Sequence, residues 1–153
     1  MSAANIRESV KKITPKFAII VVILILVLGI VQQNSGVPLA EVLPADLSAV
    51  VSYTVETGSD TDAPQTKELS AEESAALMEL LGQLEFRTNG TADSLRFCYC
   101  RVFFETADGD CAELMLTDDM ALVRSSTAED SAKVYGVKPN TKDIQAHIAS
   151  LFA

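Results

Sequence analysis

Tryptophan is absent from this sequence, histidine occurs once, aromatic residues make up 6%, and there are three cysteines in 153 residues. With His147 the only imidazole, a Ser–His or Cys–His nucleophile would have to use it, and no two-histidine metal site can be built. An odd cysteine count leaves at least one thiol unpaired within a monomer. Basic residues are scarce after the N-terminus. Four of the twelve Lys and Arg (Arg7, Lys11, Lys12, Lys16) and one of the twenty-one Asp and Glu (Glu8) fall in residues 1–16. The remaining eight and twenty give residues 17–153 a balance of −12, against −9 for the whole chain. A domain this acidic repels phosphate backbones, which excludes nucleic acid as a partner.

Against these absences stands one long apolar run. Phe17 to Val31 is fifteen consecutive apolar residues, and no charge recurs between Lys16 and Glu41. Fifteen helical residues reach roughly 22 Å, short of the ~30 Å hydrocarbon core. The uncharged residues that follow, to Gly36, close the gap, and Lys16 can snorkel to the interface. The run predicts a single-pass transmembrane anchor over residues 17–36. The positive charges all lie before it, so residues 1–16 are expected in the cytoplasm and the rest outside. The competing reading is a cleaved signal peptide, which also has a basic start and 7–15 apolar residues. Its cleavage pattern is poor here, with Asn34 or Pro38 at the −3 position. The first cysteine, Cys98, lies far beyond the run, which excludes a lipobox anchor.

Residues 37–46, with Pro38 and Pro44, read as a juxtamembrane linker. The pattern of a folded domain begins at Leu47 and runs to residue 153. Leu47–Glu56 is rich in β-branched residues and reads as a strand, and Thr57–Lys67 as a polar loop. Ser70 and Glu73 form a capping box for a helix whose Leu77, Leu80, Leu81 and Leu84 make one apolar stripe. Ser94–Thr106 reads as a long strand, Asp108-Gly109 as a two-residue type I′ turn, and Cys111–Thr117 and Met120–Ser125 as returning strands. Val134-Tyr135 would add a short strand. Asn140 or Thr141 caps a final helix with Ile144, Ile148 and Leu151 on one face. The order β-α-β-β-β-(β)-α predicts an α+β fold, helices laid on a mainly antiparallel sheet.

The opening strand, the helix start Leu69–Ser74 (LSAEES), the L-x-F-R step at Leu84–Arg87, the strand meander and the closing helix resemble small extracytoplasmic domains of unknown function. Those occur on secreted or membrane-anchored proteins of Gram-positive bacteria. The resemblance covers about residues 47–152. It implies an envelope location and carries no activity or functional residue with it.

Candidate chemistry concentrates on the cysteines. Cys98 and Cys100 form C-x-C on a strand, Cys111 lies one hairpin arm later, and His147 would complete a Cys₃His zinc set. A two-residue turn puts Thr106 opposite Cys111 and leaves Cys100 six residues away, roughly 20 Å at strand rise, too far for a shared metal or disulfide. Cys98 and Cys100 share a face but would have to leave strand geometry to bond each other. Buried packing is the expected role. Asp108 with Asp110, and Asp118 with Asp119, fit turns better than calcium loops. Glu72 and Glu73 are explained by capping and the helix dipole, and Asn89-Gly90-Thr91 matches a glycosylation sequon. No catalytic residue, cofactor or metal set is therefore assigned. The expectation is a membrane-anchored, extracytoplasmic, non-enzymatic binding module with a protein or envelope partner. The alternative is a thiol-dependent redox or metal-binding protein using Cys98 and Cys100.

Overall fold

The computed structural model describes residues 15–58, 63–88, 100–125 and 132–153. Residues 1–14, the sequon Asn89–Thr91, the start of the strand expected from Ser94 (with Cys98) and the loop 126–131 lie outside them. The chain divides into two compact units, the first ending at Ser35 and the second running from Gly36 to Ala153.

The first unit contains helix α1, Pro15–Asn34, 20 residues long and so about 30 Å. Its large apolar side chains between Ile19 and Ile30 are all exposed, from 38% at Val21 to 62% at Ile25. From Ile19 to Ile30 the helix is apolar on every side. These described side chains cover twelve positions, about 18 Å of rise. Among the described residues, no helix is long and apolar enough to cross a membrane.

The second unit is α+β, as its patterning predicts. Its strands are β1 (Val50–Thr57), β2 (Gln65–Glu68), β3 (Glu85–Arg87), β4 (Cys100–Thr106), β5 (Cys111–Leu116), β6 (Met120–Ser125) and β7 (Lys133–Lys138). Among the described residues they form one antiparallel sheet of seven strands in the order β2-β1-β4-β5-β6-β7-β3. Strand alternation sorts the side chains. Val55, Val102, Phe104, Leu114, Leu116, Val123 and Val137 point to one face and are buried. That face is covered by α3 (Ala71–Leu81) and α4 (Lys142–Ser150), which contribute Leu77, Leu81, Ile144 and Ile148 to the same core.

Each helix starts where its sequence can satisfy free N–H groups. Before α3, Ser70 Oγ accepts from Glu73 N at 3.3 Å, and Ser70 N donates to Glu73 Oε2 at 2.9 Å. This is the expected capping box. Before α4 the two candidate caps divide the work. Asn140 Oδ1 accepts from Lys142 N at 3.2 Å, while Thr141 turns inward, fully buried, and its Oγ1 donates to the Thr117 carbonyl.

Several expectations are corrected. Residues 37–46 are not a free linker. Leu39 and Val42, on the short helix α2 (Leu39–Val42), and Leu43 are buried in the core, and Val37 exchanges two 2.9 Å backbone bonds with Phe86. Gly36 is needed there, since a Cβ at this position would stand 2.4 Å from Glu85 Cβ. Leu47–Ala49 is a 3-10 turn rather than strand, because Asp46 accepts from both Ser48 N (2.9 Å) and Ser48 Oγ (2.8 Å) and offers the backbone a local alternative to the sheet. The polar stretch before Leu69 hides β2, and the L-x-F-R step holds β3. The 107–109 turn is three residues long. Gly109 N donates to Thr106 O (3.0 Å), Thr106 N donates to Asp110 O (2.9 Å), and Gly109 has φ +85°. Asp108 lacks the positive φ that a type I′ turn requires, so Cys111 faces Glu105, not Thr106.

Lys67 fastens β2 to the helices. Its Nζ lies 2.7 Å from Glu73 Oε1 and 3.1 Å from the Leu151 carbonyl. This ammonium, followed by the cap bonds from Ser70, lowers the Glu73 carboxyl from its ordinary 4.5 to about 2. A depressed carboxyl stabilises the fold above its unfolded pKa, and the contribution disappears as pH falls from about 4.5 through about 2. Thermal melts of Glu73→Gln should lose less Tm than the native chain across that window. Leu77 and Leu81 are fully buried while Leu80 is only half-buried. Truncating a buried Leu to Ala costs about 2–5 kcal/mol. Leu77→Ala or Leu81→Ala should therefore lower the denaturant midpoint clearly more than Leu80→Ala.

Candidate functional site

The cysteines separate as the sheet builds. Cys100 pairs with Leu116, and Cys111 pairs with Glu105. Five residue steps along β4 separate their ladder positions, about 17 Å at 3.4 Å per residue, and they stand on opposite faces. Cys100 is 3% exposed on the helix-covered side, and Cys111 is half-buried on the other. Both are thiols. The shorter hairpin register moves the expected separation from six residues to five without bringing the sulfurs together. Cys98 lies outside the described residues. Burial pushes the Cys111 thiol up, and the carboxylates of Glu105 and Glu113 add to the shift.

The remaining candidates are dispersed over turns and helices of the second unit. His147 sits half-buried on α4, with no hydrogen bond to Nε2 among the described residues. Asp108 and Asp110 occupy the exposed β4–β5 turn. Asp118 clasps α4 to the β5–β6 turn. Its carbonyl accepts from Thr141 N at 3.0 Å, and its Oδ1 accepts from Gln145 Nε2 at 3.2 Å. Asp119 contributes its carbonyl to Val137 N at 2.8 Å. Glu73 is occupied by Ser70 and Lys67, and Glu72 is exposed beside it. Among the described residues, no group of three or more His, Cys, Asp or Glu is placed to hold a metal ion.

Two depressions stand out among the described residues. The larger, about 680 Å³, lies between the end of β1 and α4, with Thr57, Cys100, Lys142, Gln145, Ala149 and Phe152 along it. Cys100 presents almost no surface to it, so its thiol is not offered there. The smaller, about 390 Å³, lies between the start of β1 and α3. At its edge stands Val51, 66% exposed.

The sheet face away from the helices carries a feature that residue types alone did not single out. Glu113, 6% exposed, lies between two arginines. Arg124 donates to its Oε2 from Nε at 2.9 Å and also from Nη2. Arg101 Nε stands 3.8 Å from its Oε1, and Arg101 Nη1 reaches Glu56 at 3.2 Å. Phe103, Met115, Leu122 and Val134 lie half-buried on that face. Pairing Glu113 with Phe103 and Arg124 across the ladder explains the cluster. The Arg124 side follows from the Asp118-Asp119 turn, whereas the β4 side could be foreseen only with the correct β4–β5 register.

No family model, no curated protein and no solved structure matches the chain.

With its thiolate disfavoured by burial and by two carboxylates, Cys111 should react slowly. At pH 8, iodoacetamide should alkylate it in the folded chain several-fold more slowly than in urea, read by peptide mass spectrometry. Glu105→Gln should raise the folded-state rate.

Proposed function

We propose that this chain is a membrane-tethered binding module, with residues 17–36 as a single-pass anchor, the N-terminus in the cytoplasm and the folded unit outside. The observation that carries the reading is the unbroken exposure of Ile19 to Leu28 and Ile30 on α1. A helix apolar all round has no wet face, and such helices belong inside a large core or in lipid. Within α1 the described apolar stretch is shorter than a bilayer core. The sequence on either side, Phe17-Ala18 and Val31 followed by uncharged residues to Gly36, lengthens it to a sufficient span. Charge supports the orientation, with Arg7, Lys11, Lys12 and Lys16 all preceding the run and Lys67 the first positive charge after it.

Binding is favoured over catalysis by what the surfaces hold. Of the acidic side chains that drew attention in the sequence, Glu73 is held by its cap and by Lys67 and the four aspartates lie in turns, while Glu72 stands exposed; the more deeply buried described thiol is turned into the core. What the domain offers a partner is shape, a strand edge and acidic charge.

The test is fractionation followed by protease accessibility. The chain should stay with membranes through alkaline carbonate and leave them in detergent, and protease added to intact cells or spheroplasts should digest residues 36–153. Release by carbonate would reject the anchor. Full protection of the domain, while an external control is cut, would reject the orientation.

A further inference from the structure

We infer that the open edge of β1 at Val50–Ser52, together with the groove beside it, takes a short, extended, cationic peptide as an added strand. The inference rests on the binding-module reading and names the site and the chemistry of the partner. It begins with backbone accounting. On its β2 side, β1 is paired from Thr54 to Thr57, and Leu69 N donates to Tyr53 O at 2.8 Å. The chain then leaves the sheet to start α3. Upstream of Tyr53, β1 pairs with β4 alone among the described residues, Val50 with Thr106 and Ser52 with Glu105. The register shifts between them, making Val51 the extra residue of a bulge. The Val50 N–H is already taken by the Leu47 carbonyl, so what the edge offers another extended chain is the few peptide groups around Val51.

The surroundings suit a side chain as well as a backbone. Val51, at 66% exposure, is the single exposed large hydrophobic side chain among the described residues of Gly36–Ala153. Beside it the groove of about 390 Å³ is bounded by Tyr53 and Leu69 on one side and by Ala71, Ala75 and Met78 of α3 on the other. Ala71, Ala75 and Met78 recur at helical spacing and share one face. The two alanines leave the wall low, so an apolar side chain from an added strand can enter between strand and helix. A bulge shortens any continuous pairing, which restricts the partner to a short strand whose side-chain contacts supplement a few backbone bonds.

Charge decides the partner. Glu68 lines the groove, and Glu72 and Glu79 stand exposed on the neighbouring row of α3. None of the three takes part in a salt bridge among the described residues. A second copy of this domain would bring its own acidic edge against this one and be repelled. A strand alternating cationic and apolar residues would set its apolar side chains into the groove and its charges toward the rim.

The experiment uses the full chain in nanodiscs of zwitterionic phosphatidylcholine and a fluorescent, end-capped heptapeptide alternating lysine and valine, read by anisotropy. Saturable binding with a Kd below about 1 mM is expected, absent from empty nanodiscs. Replacing lysine by glutamate, or N-methylating alternate peptide nitrogens, should weaken it at least about tenfold. Ala75→Arg, which fills the groove and repels the peptide, should do the same. Glu68→Lys provides a second variant that leaves the helix untouched, and thermal melts check that both fold. Leu122→Glu, on the far sheet face, should leave binding unchanged. No saturable binding, indifference to N-methylation, or full binding by folded Ala75→Arg and Glu68→Lys overturns the inference. Binding abolished by Leu122→Glu alone would overturn the groove while leaving a binding module in place. The anchor and its orientation are judged separately, by carbonate extraction and protease accessibility.

Discussion

The folded unit depends on one constraint, the pairing register of β4 with β5. Side chains on a strand alternate with a period of two, so a slip of one residue sends every side chain of a strand to the opposite face. With Glu105 opposite Cys111, Phe104 meets Ala112 and Val102 meets Leu114, and the apolar members of both strands lie under the helices. Had Thr106 stood opposite Cys111, Phe104 would have faced Glu113, driving a carboxylate into the core and turning three apolar side chains out. Gly109 at φ +85° permits the three-residue turn that avoids this. The rest of the sheet inherits the assignment through β1 and β6, so the core contacts of Leu77, Leu81, Ile144 and Ile148 follow from one left-handed glycine and one hydrophobic pattern.

How much of this was legible varies with the physics of each segment. The α+β class, α3 with its capping box, and the β4–β5–β6 meander were readable because apolar periodicity and capping chemistry are local signals. The strand at Gln65–Glu68 was not. It is an edge strand that buries almost nothing, so it has no hydrophobic alternation to announce it. The three-residue β3 is likewise too short to show a period. Residues 37–46 misled through their prolines. Pro38 and Pro44 break regular structure, but Leu39, Val42 and Leu43 still bury in the core, because irregular backbone can pack as densely as helix. The turn was misread since Asp-Gly suits more than one loop length, and that single error concealed the position of Glu113.

The charged residues divide into those that hold the fold and those left over. Lys67 bridges β2, the start of α3 and the C-terminal carbonyl of Leu151. Glu113 is closed in by Arg101 and Arg124. Of these charges only Glu113 is buried, so the pairs contribute modest net stability, though removing both arginines would strand its carboxylate. The acidic groups left over, Glu68, Glu72 and Glu79 among them, give the surface its sign.

The ends of the sheet carry a consequence for crowding. One outer strand, β3, is closed by Val37 through two backbone bonds. The other, β2, reads Gln-Thr-Lys-Glu along its length, an edge dressed in polar and charged groups. Neither end presents a long apolar template on which a second sheet could grow, and the −12 balance beyond residue 16 makes copies repel one another. Charge and edge chemistry among the described residues therefore oppose sheet-to-sheet growth between crowded molecules, and the short apolar break at Val51 is a place where a strand of the right charge could gain a hold.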